Sequence, residues 1–215
     1  MITVWGRATS SNVQAVMWCL AELGLEPVRH DAGHVHGGLD TPDFLAMNPN
    51  GTIPVLRDGT GDAIWETGAI LRYLAARYGD AHFWPADPAA RAQVDKWAEW
   101  AKINVVTGFV RPVFWRVAKT APADRDPVAI AAALRALDRF LAVAEDRLAA
   151  HDFLAGESFT PADIQFGHVL WRYYDIDIPR GDFPAIRRYY ERLAARPAYR
   201  AHVMIPYDSL APGAA

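Results

Sequence analysis

Residues 2–31, ITVWGRATSSNVQAVMWCLAELGLEPVRHD, pass from a β-prone run through a polar turn into a helical pattern and out into a second extended run. Ile2–Trp5 is short and apolar, and polar Ala8–Asn12 follows it. Val13, Val16, Met17, Leu20 and Leu23 then recur at the three- and four-residue spacing that gathers them on one helix face. Gly24 supplies the left-handed stop, and Pro27–Asp31 reads as the second strand. Strand, helix, strand is the opening of a βαβ unit.

The pattern continues outward from there. A loop rich in Gly and His runs to Thr41-Pro42, where Thr caps and Pro fills the first turn of a short helix over Asp43–Met47. Ile53–Arg57 and Ala63–Trp65 flank Asp58-Gly59 and read as an antiparallel hairpin. Ile70, Leu71, Leu74 and Tyr78 mark a helix that Gly79 ends. Beyond a Pro/Asp/Ala-rich connection the chain is almost wholly helical in pattern. A long helix carries Val94, Trp97, Ala101 and Val105, with Gly108 and Pro112 expected to bend or interrupt it. Ile130, Leu134, Leu137, Leu141, Ala144 and Leu148 form the apolar stripe of a bundle helix. Thr160-Pro161-Ala162-Asp163 is a capping signature: Thr160 caps and Asp163 reaches back. The expected fold class is α/β plus all-α, with a 1–80 domain (βαβ, then ββα), a linker at 81–88 and an all-helical domain at 89–215 that ends in an extended tail.

Composition narrows the function. Of 215 residues, 52% are hydrophobic types and 22% charged, which fits a folded soluble protein rather than a disordered chain. Lys plus Arg number 22 against 25 for Asp plus Glu, a net charge of −3 without a basic block. That balance argues against nucleic acid or an anionic membrane as partner. A single cysteine, Cys19, allows no internal disulfide and no cysteine-built zinc site, and a reducing compartment is expected. The longest uncharged stretch, Ala8–Ala21, falls short of the ~20 residues a membrane span needs. The start, MITVWGR, lacks the basic and apolar segments of an export signal, so a cytoplasmic protein is expected. No GxSxG elbow, HExxH pair, GxGxxG turn or phosphate loop occurs, which sets hydrolase, metalloprotease and nucleotide chemistry aside. His30, His34 and His36 invite a metal reading, but no carboxylate partner or fourth ligand is evident, and no metal is expected.

Four stretches in this order resemble the soluble glutathione transferases. Ser10-Ser11-Asn12-Val13-Gln14 is similar to the serine-type active-site turn of that superfamily. Asn48-Pro49-Asn50-Gly51-Thr52-Ile53-Pro54 resembles its glutathione-backbone loop with a cis-proline. Trp65-Glu66-Thr67-Gly68 resembles its acidic residue and hydroxyl at the start of a helix. Thr160–Asp163 is similar to the capping box of its buried helix, and Ala195–Tyr199 (ARPAY) is typical near its end. The likeness covers about the whole chain, and it implies a thioredoxin-like first domain, an all-helical second domain and a homodimer.

It also implies a chemistry. Glutathione attacks an electrophile as its thiolate, and a free thiol with a pKa of about 8.5 is mostly protonated at neutral pH. Lowering that value by about two units takes ~2.7 kcal/mol of preferential anion stabilisation. One charge-assisted hydrogen bond at ~1.5–3 kcal/mol and a helix N-terminus at ~0.3–1 kcal/mol suffice together. The resemblance selects Ser10 as the hydroxyl donor, with Asn12 assisting, although the same polar run would serve plain N-capping in any helix. It assigns the cysteinyl backbone of glutathione to Ile53 and Pro54, and the γ-glutamyl end to Glu66 and Thr67. Leu39-Asp40 stands where several relatives carry basic residues for the glycyl carboxylate, so His36, His34 or the Asn50 amide is expected to replace that contact. Phe109, Arg111, Phe114 and Trp115 are the expected wall for a hydrophobic electrophile, with Arg111 able to orient an anionic group. Cys19 falls inside the first helix and reads as a small buried hydrophobe. The expected activity is conjugation of glutathione, as co-substrate, to a small hydrophobic electrophile. The alternatives are isomerisation, dehalogenation or disulfide reduction at the same site, or a non-catalytic binding scaffold.

Overall fold

The computed structural model describes residues 1–213; Ala214 and Ala215, the end of the expected tail, lie outside the described residues. Strands β1 (Ile2–Trp5), β2 (Val28–His30), β3 (Val55–Asp58) and β4 (Ile64–Trp65) form one sheet in the order β2-β1-β3-β4. β1 and β2 run parallel with Thr3 opposite Val28, as a βαβ crossover requires. β3 pairs antiparallel with β1 and with β4. Helix α1 (Ser11–Glu22) makes the crossover, α2 (Pro42–Met47) follows β2, and α3 (Thr67–Tyr78) follows the hairpin. This is the thioredoxin-like arrangement expected of the first eighty residues, with strand ends displaced by one or two positions.

The sheet buries both faces unequally, and the two-residue alternation of its strands does the sorting. Ile2, Val4 and Leu56 join the main core with α1 and α3. Val55, one residue on, turns to the opposite face and packs with Ala32 and Phe44 in a small cluster beneath α2.

The remaining chain is helical. It comprises α4 (Pro88–Trp100), a π-helical stretch Ala101–Val106, α5 (Thr107–Phe109), a second π-helical stretch Val110–Phe114, and α6 (Trp115–Ala118). Then come α7 (Pro127–Ala150), α8 (Pro161–Gly167), α9 (Leu170–Asp175), α10 (Pro184–Ala195) and α11 (Pro197–His202). The expected interruption takes the form of π-helical turns rather than a break in the chain's helical path. Pro112 lacks an N–H for the ordinary i→i−4 bond, yet the helical path runs on through it, with the surrounding turn widened to i→i+5 bonds. Among the described residues no helix is long and apolar enough to cross a membrane.

One core joins the sheet half to the helical half. Trp18 of α1 is fully buried, 4.8 Å edge-on from the Tyr199 ring of α11 and 5.4 Å from Phe159. Its indole N–H donates to Glu22, whose carboxylate pairs with Arg196 at 2.6 Å. Gly167 makes the approach of α8 possible, since a Cβ there would lie 2.5 Å from Leu193 and 3.0 Å from Trp18. Thr160 forms the expected capping box with Asp163.

Candidate active site

The turn between β1 and α1 is held from both halves of the molecule. Gly6 fits between Val13 of the first helical turn and Ile53 of the loop before β3, because a Cβ at position 6 would sit 2.4 Å from Val13 and 3.2 Å from Ile53. The start of α1 and the Ile53–Pro54 loop are thereby brought against each other. The Ile53–Pro54 bond is cis, and among the described residues the Ile53 N–H and C=O pair with no other backbone group. From the helical half, Arg172 Nη2 donates to the Thr9 carbonyl at 2.7 Å and to Gln14 Oε1 at 3.3 Å. The Arg172 guanidinium also lies 4.7 Å over the Phe114 ring.

Ser10 is the N-cap of α1 in extended backbone, but among the described residues its hydroxyl makes no capping hydrogen bond to the first-turn N–H groups of the helix, which have no intrahelical partner. Ser10 and Ser11 are nearly buried, at 8% and 7% exposed. A cleft of about 260 Å³ opens beside Ser11, bounded also by Asn12, Lys102, Thr107, Val110, Arg111 and Trp115, while Ser10 stands outside its lining. Lys102, on the first π-helical stretch, donates from Nζ to Asn12 Oδ1 at 3.1 Å. Burial pushes its ammonium below the usual lysine range, and the nearby Glu66 and Glu99 carboxylates pull it back.

Glu66 and Thr67 open α3. Glu66 adopts φ 69°, a left-handed conformation that costs a non-glycine residue about 1–3 kcal/mol and is characteristic of functional turns. Its side chain is exposed and caps nothing, so the first N–H groups of α3 remain free, while Thr67 is 2% exposed. Arg72 ties this helix to α4 through Asp95 at 2.7 Å and through Glu99.

The remaining expected residues divide. Arg111 and Trp115 bound the cleft, the guanidinium 5.0 Å over the Trp115 ring. Phe109 and Phe114 do not: at 1% and 0% exposed, 6.1 Å apart, they belong to the interior, with Phe109 against Tyr173. The widened turn brings residues five apart onto the same side, turning both rings inward. A separate hollow is lined by His34, Leu39, Asp40, Asn50 and Gly51. Asn50 contributes to it while its amide donates to Asn48 at 3.0 Å. His36 instead lies 3.8 Å from Asp31, outside the lining. Cys19 is buried, and burial raises its thiol pKa, which keeps it protonated. Among the described residues no group of three or more His, Cys, Asp or Glu is arranged to hold a metal ion.

Lys102, Arg172, Arg7 and Lys119 were not singled out from the sequence. Lys102 reaches Asn12 across 90 positions and Arg172 reaches Thr9 across 163, and no local spacing encodes either contact.

A mixed four-stranded sheet of thioredoxin-like order, with the start of α1 set against the Ile53–Pro54 loop, is thus backed by a helical half. Residues 9–77 match the family model "Glutathione S-transferase, N-terminal domain" and residues 107–197 match "Glutathione S-transferase, C-terminal domain". The chain is 39% identical to the Escherichia coli protein "Glutathione S-transferase GstB" over 207 residues, covering 96% of this chain and 99% of that one. It is 30% identical to "Disulfide-bond oxidoreductase YghU" of the same organism, covering 91% of this chain and 70% of that one. A theta class glutathione S-transferase from Xanthomonas axonopodis pv. citri, solved with glutathione bound, superposes with a TM-score of 0.90 at 41% identity, over 95% of this chain and 98% of that one. The chain belongs to the glutathione S-transferase family.

Proposed function

We propose that this protein conjugates glutathione to a small electrophile in the cytoplasm, as a homodimer, with the Ser10 hydroxyl and the Asn12 amide donating to the thiolate. The orientation of Asn12 carries the reading. Lysine only donates, so the atom facing Lys102 at 3.1 Å is the amide oxygen, and the Asn12 NH₂ is left to donate toward the cleft. Two donors and the first turn of α1 then meet the thiolate in a site partly closed to water, where such bonds count for more.

Residues 1–80 form the glutathione-binding domain in this reading, 81–88 the linker and 89–215 the helical domain. The unpaired backbone of Ile53, beside Pro54, receives the cysteinyl unit as an added strand would. The free N–H groups of α3 and the Thr67 hydroxyl take the γ-glutamyl carboxylate, and Glu66 takes its ammonium. The glycyl carboxylate falls in the hollow of His34 and Asn50, weakened by Asp40. The electrophile occupies the cleft at Arg111 and Trp115. Conjugation of 1-chloro-2,4-dinitrobenzene by the wild type, lost in Ser10→Ala with glutathione still bound, is the expected result. Unchanged turnover in Ser10→Ala would remove Ser10 from the chemistry.

Disulfide reduction is the second reading, favoured by the likeness to YghU. Because Cys19 is buried, two glutathione molecules would have to supply the electrons. Product analysis separates the two: a thioether for conjugation, oxidised glutathione for reduction.

A further inference from the structure

The cleft beside Asn12 gathers positive charge with no carboxylate in its lining. Lys102 and Arg111 bound it directly, and Lys119 lies 4.8 Å over the same Trp115 ring that Arg111 covers. Arg7 and Arg172 lie close enough to Lys119 to repel it, and Arg7 also reaches Gly33 at the edge of the His34 hollow. Among the described residues their Nε atoms are buried without a hydrogen-bond partner. Burial first, and then repulsion from Arg7 and Arg172, lowers the Lys119 ammonium from its usual range, so the three charges are close enough to oppose one another. Among the described residues, none of Arg7, Arg111, Lys119 and Arg172 is paired with a carboxylate.

Like charges crowded in a partly buried site disfavour the empty state, and an incoming anion relieves that cost. The rest of the lining mixes the polar Ser11, Asn12 and Thr107 with an apolar side made by Val106, Val110 and the Trp115 ring. At about 260 Å³ the cleft lies just under the ~300–1,000 Å³ of drug-sized sites, which suits a body of one ring or less.

Resting on the conjugation reading above, we propose that the acceptor is a small electrophile bearing a carboxylate or sulfonate, its anionic group held by Arg111 while Lys119 and Arg7 add to the attracting field. The guanidinium fork matches a carboxylate in a bidentate pair, and Arg111 is exposed enough to exchange its hydration for that pair. The group is thereby fixed at the mouth, with the reacting carbon directed inward toward the thiolate.

A matched pair of probes tests this: 4-chloro-3-nitrobenzoate and its neutral analogue 4-chloro-3-nitrobenzamide. In each the thiolate sulfur forms a C–S bond at the carbon bearing chlorine. The C–Cl bond breaks, chloride leaves with the bonding pair, and the thiol proton has already passed to solvent. Each catalysed kcat/KM is divided by the uncatalysed rate constant with glutathione. The expected ratio favours the benzoate by about tenfold or more, the span of one charge-assisted hydrogen bond. Arg111→Gln, a surface change, should collapse that preference through KM for the benzoate, and Lys119→Gln should lower it by less. A wild-type ratio near one overturns the proposal. So does an Arg111→Gln variant that loses both probes equally while its KM for glutathione rises, because the cations then serve the carboxylates of glutathione itself. The bound thiol pKa separates the two failures: unshifted, the conjugation reading falls and this inference with it; lowered, with a ratio near one, only the anionic acceptor falls.

Discussion

Lys102 Nζ donates to Asn12 Oδ1 across 3.1 Å, joining the helical half to the first turn of α1 at the edge of the cleft. A free asparagine amide can present either end, but one bound to an ammonium through its oxygen presents its NH₂. In the reading proposed above, Lys102 positions the Asn12 amide and adds a positive charge beside the thiolate site. Lys102→Met should raise the pKa of bound glutathione by about one unit, roughly 1.4 kcal/mol of lost anion stabilisation, and Lys102→Arg should restore most of it. A role limited to packing would lower the melting temperature and leave the thiol pKa where it was.

Arg172 is the second strut across the halves, with its charge placed on the Thr9 carbonyl just before Ser10. Removing it leaves that carbonyl and Gln14 Oε1 short of a donor in a buried site. Arg172→Leu should cost about 2–4 kcal/mol in urea unfolding and raise the KM for glutathione, since the turn that carries Ser10 loses its tether. Unchanged glutathione KM in a folded variant would show that the turn holds itself.

How much of this was legible in the sequence depends on whether the signal was local. Gly24, Thr41-Pro42, Gly79 and Thr160-Pro161 mark their own turns and caps, so the order of strands and helices followed from punctuation and periodicity, whereas the pairing of β1 with β3 did not. The faces of the helix after Trp100 did not follow. At about 100° per residue, positions 109 and 114 of a regular helix stand roughly 140° apart, and nothing in a one-dimensional pattern says that the turn will widen. Phe109 and Phe114 were accordingly expected on the pocket wall beside Arg111, whereas the π-helical turn takes them into the core. The polar run at Thr9–Asn12 marks the turn before α1. What orients Asn12 and tethers Thr9 comes from across the fold, out of reach of any spacing rule.

Asp163 illustrates a second kind of constraint. Fully buried, it accepts from the N–H groups of Leu154 and Thr160, both at 2.8 Å, and from the Tyr189 hydroxyl at 2.9 Å. Asp163→Asn replaces one accepting oxygen by an NH₂ that faces donors. Urea melts should show a loss of about 2–4 kcal/mol, and a loss below 0.5 kcal/mol, within the range of ordinary surface changes, would mean that the network rearranges freely.

His168 supplies a pH dependence. It is completely buried, and burial first, then the nearby Lys102 charge, pushes its pKa down to about 3. The unfolded chain takes up a proton near pH 6.5 that the folded chain refuses, so the contribution of His168 is full above that pH and is lost progressively as pH falls toward 3. Going from pH 7.5 to pH 5, the wild type should lose about 2 kcal/mol more stability than His168→Leu. Equal losses would show that His168 is protonated in the fold.

Thiolate activation is tested most directly by the ionisation of bound glutathione, read as thiolate absorbance in an ultraviolet pH titration with saturating protein and compared with free glutathione. It predicts a bound thiol pKa lowered by about one unit or more, with the shift abolished in Ser10→Ala. Glutathione that binds with an unshifted thiol would contradict it and leave a binding scaffold in place of an enzyme.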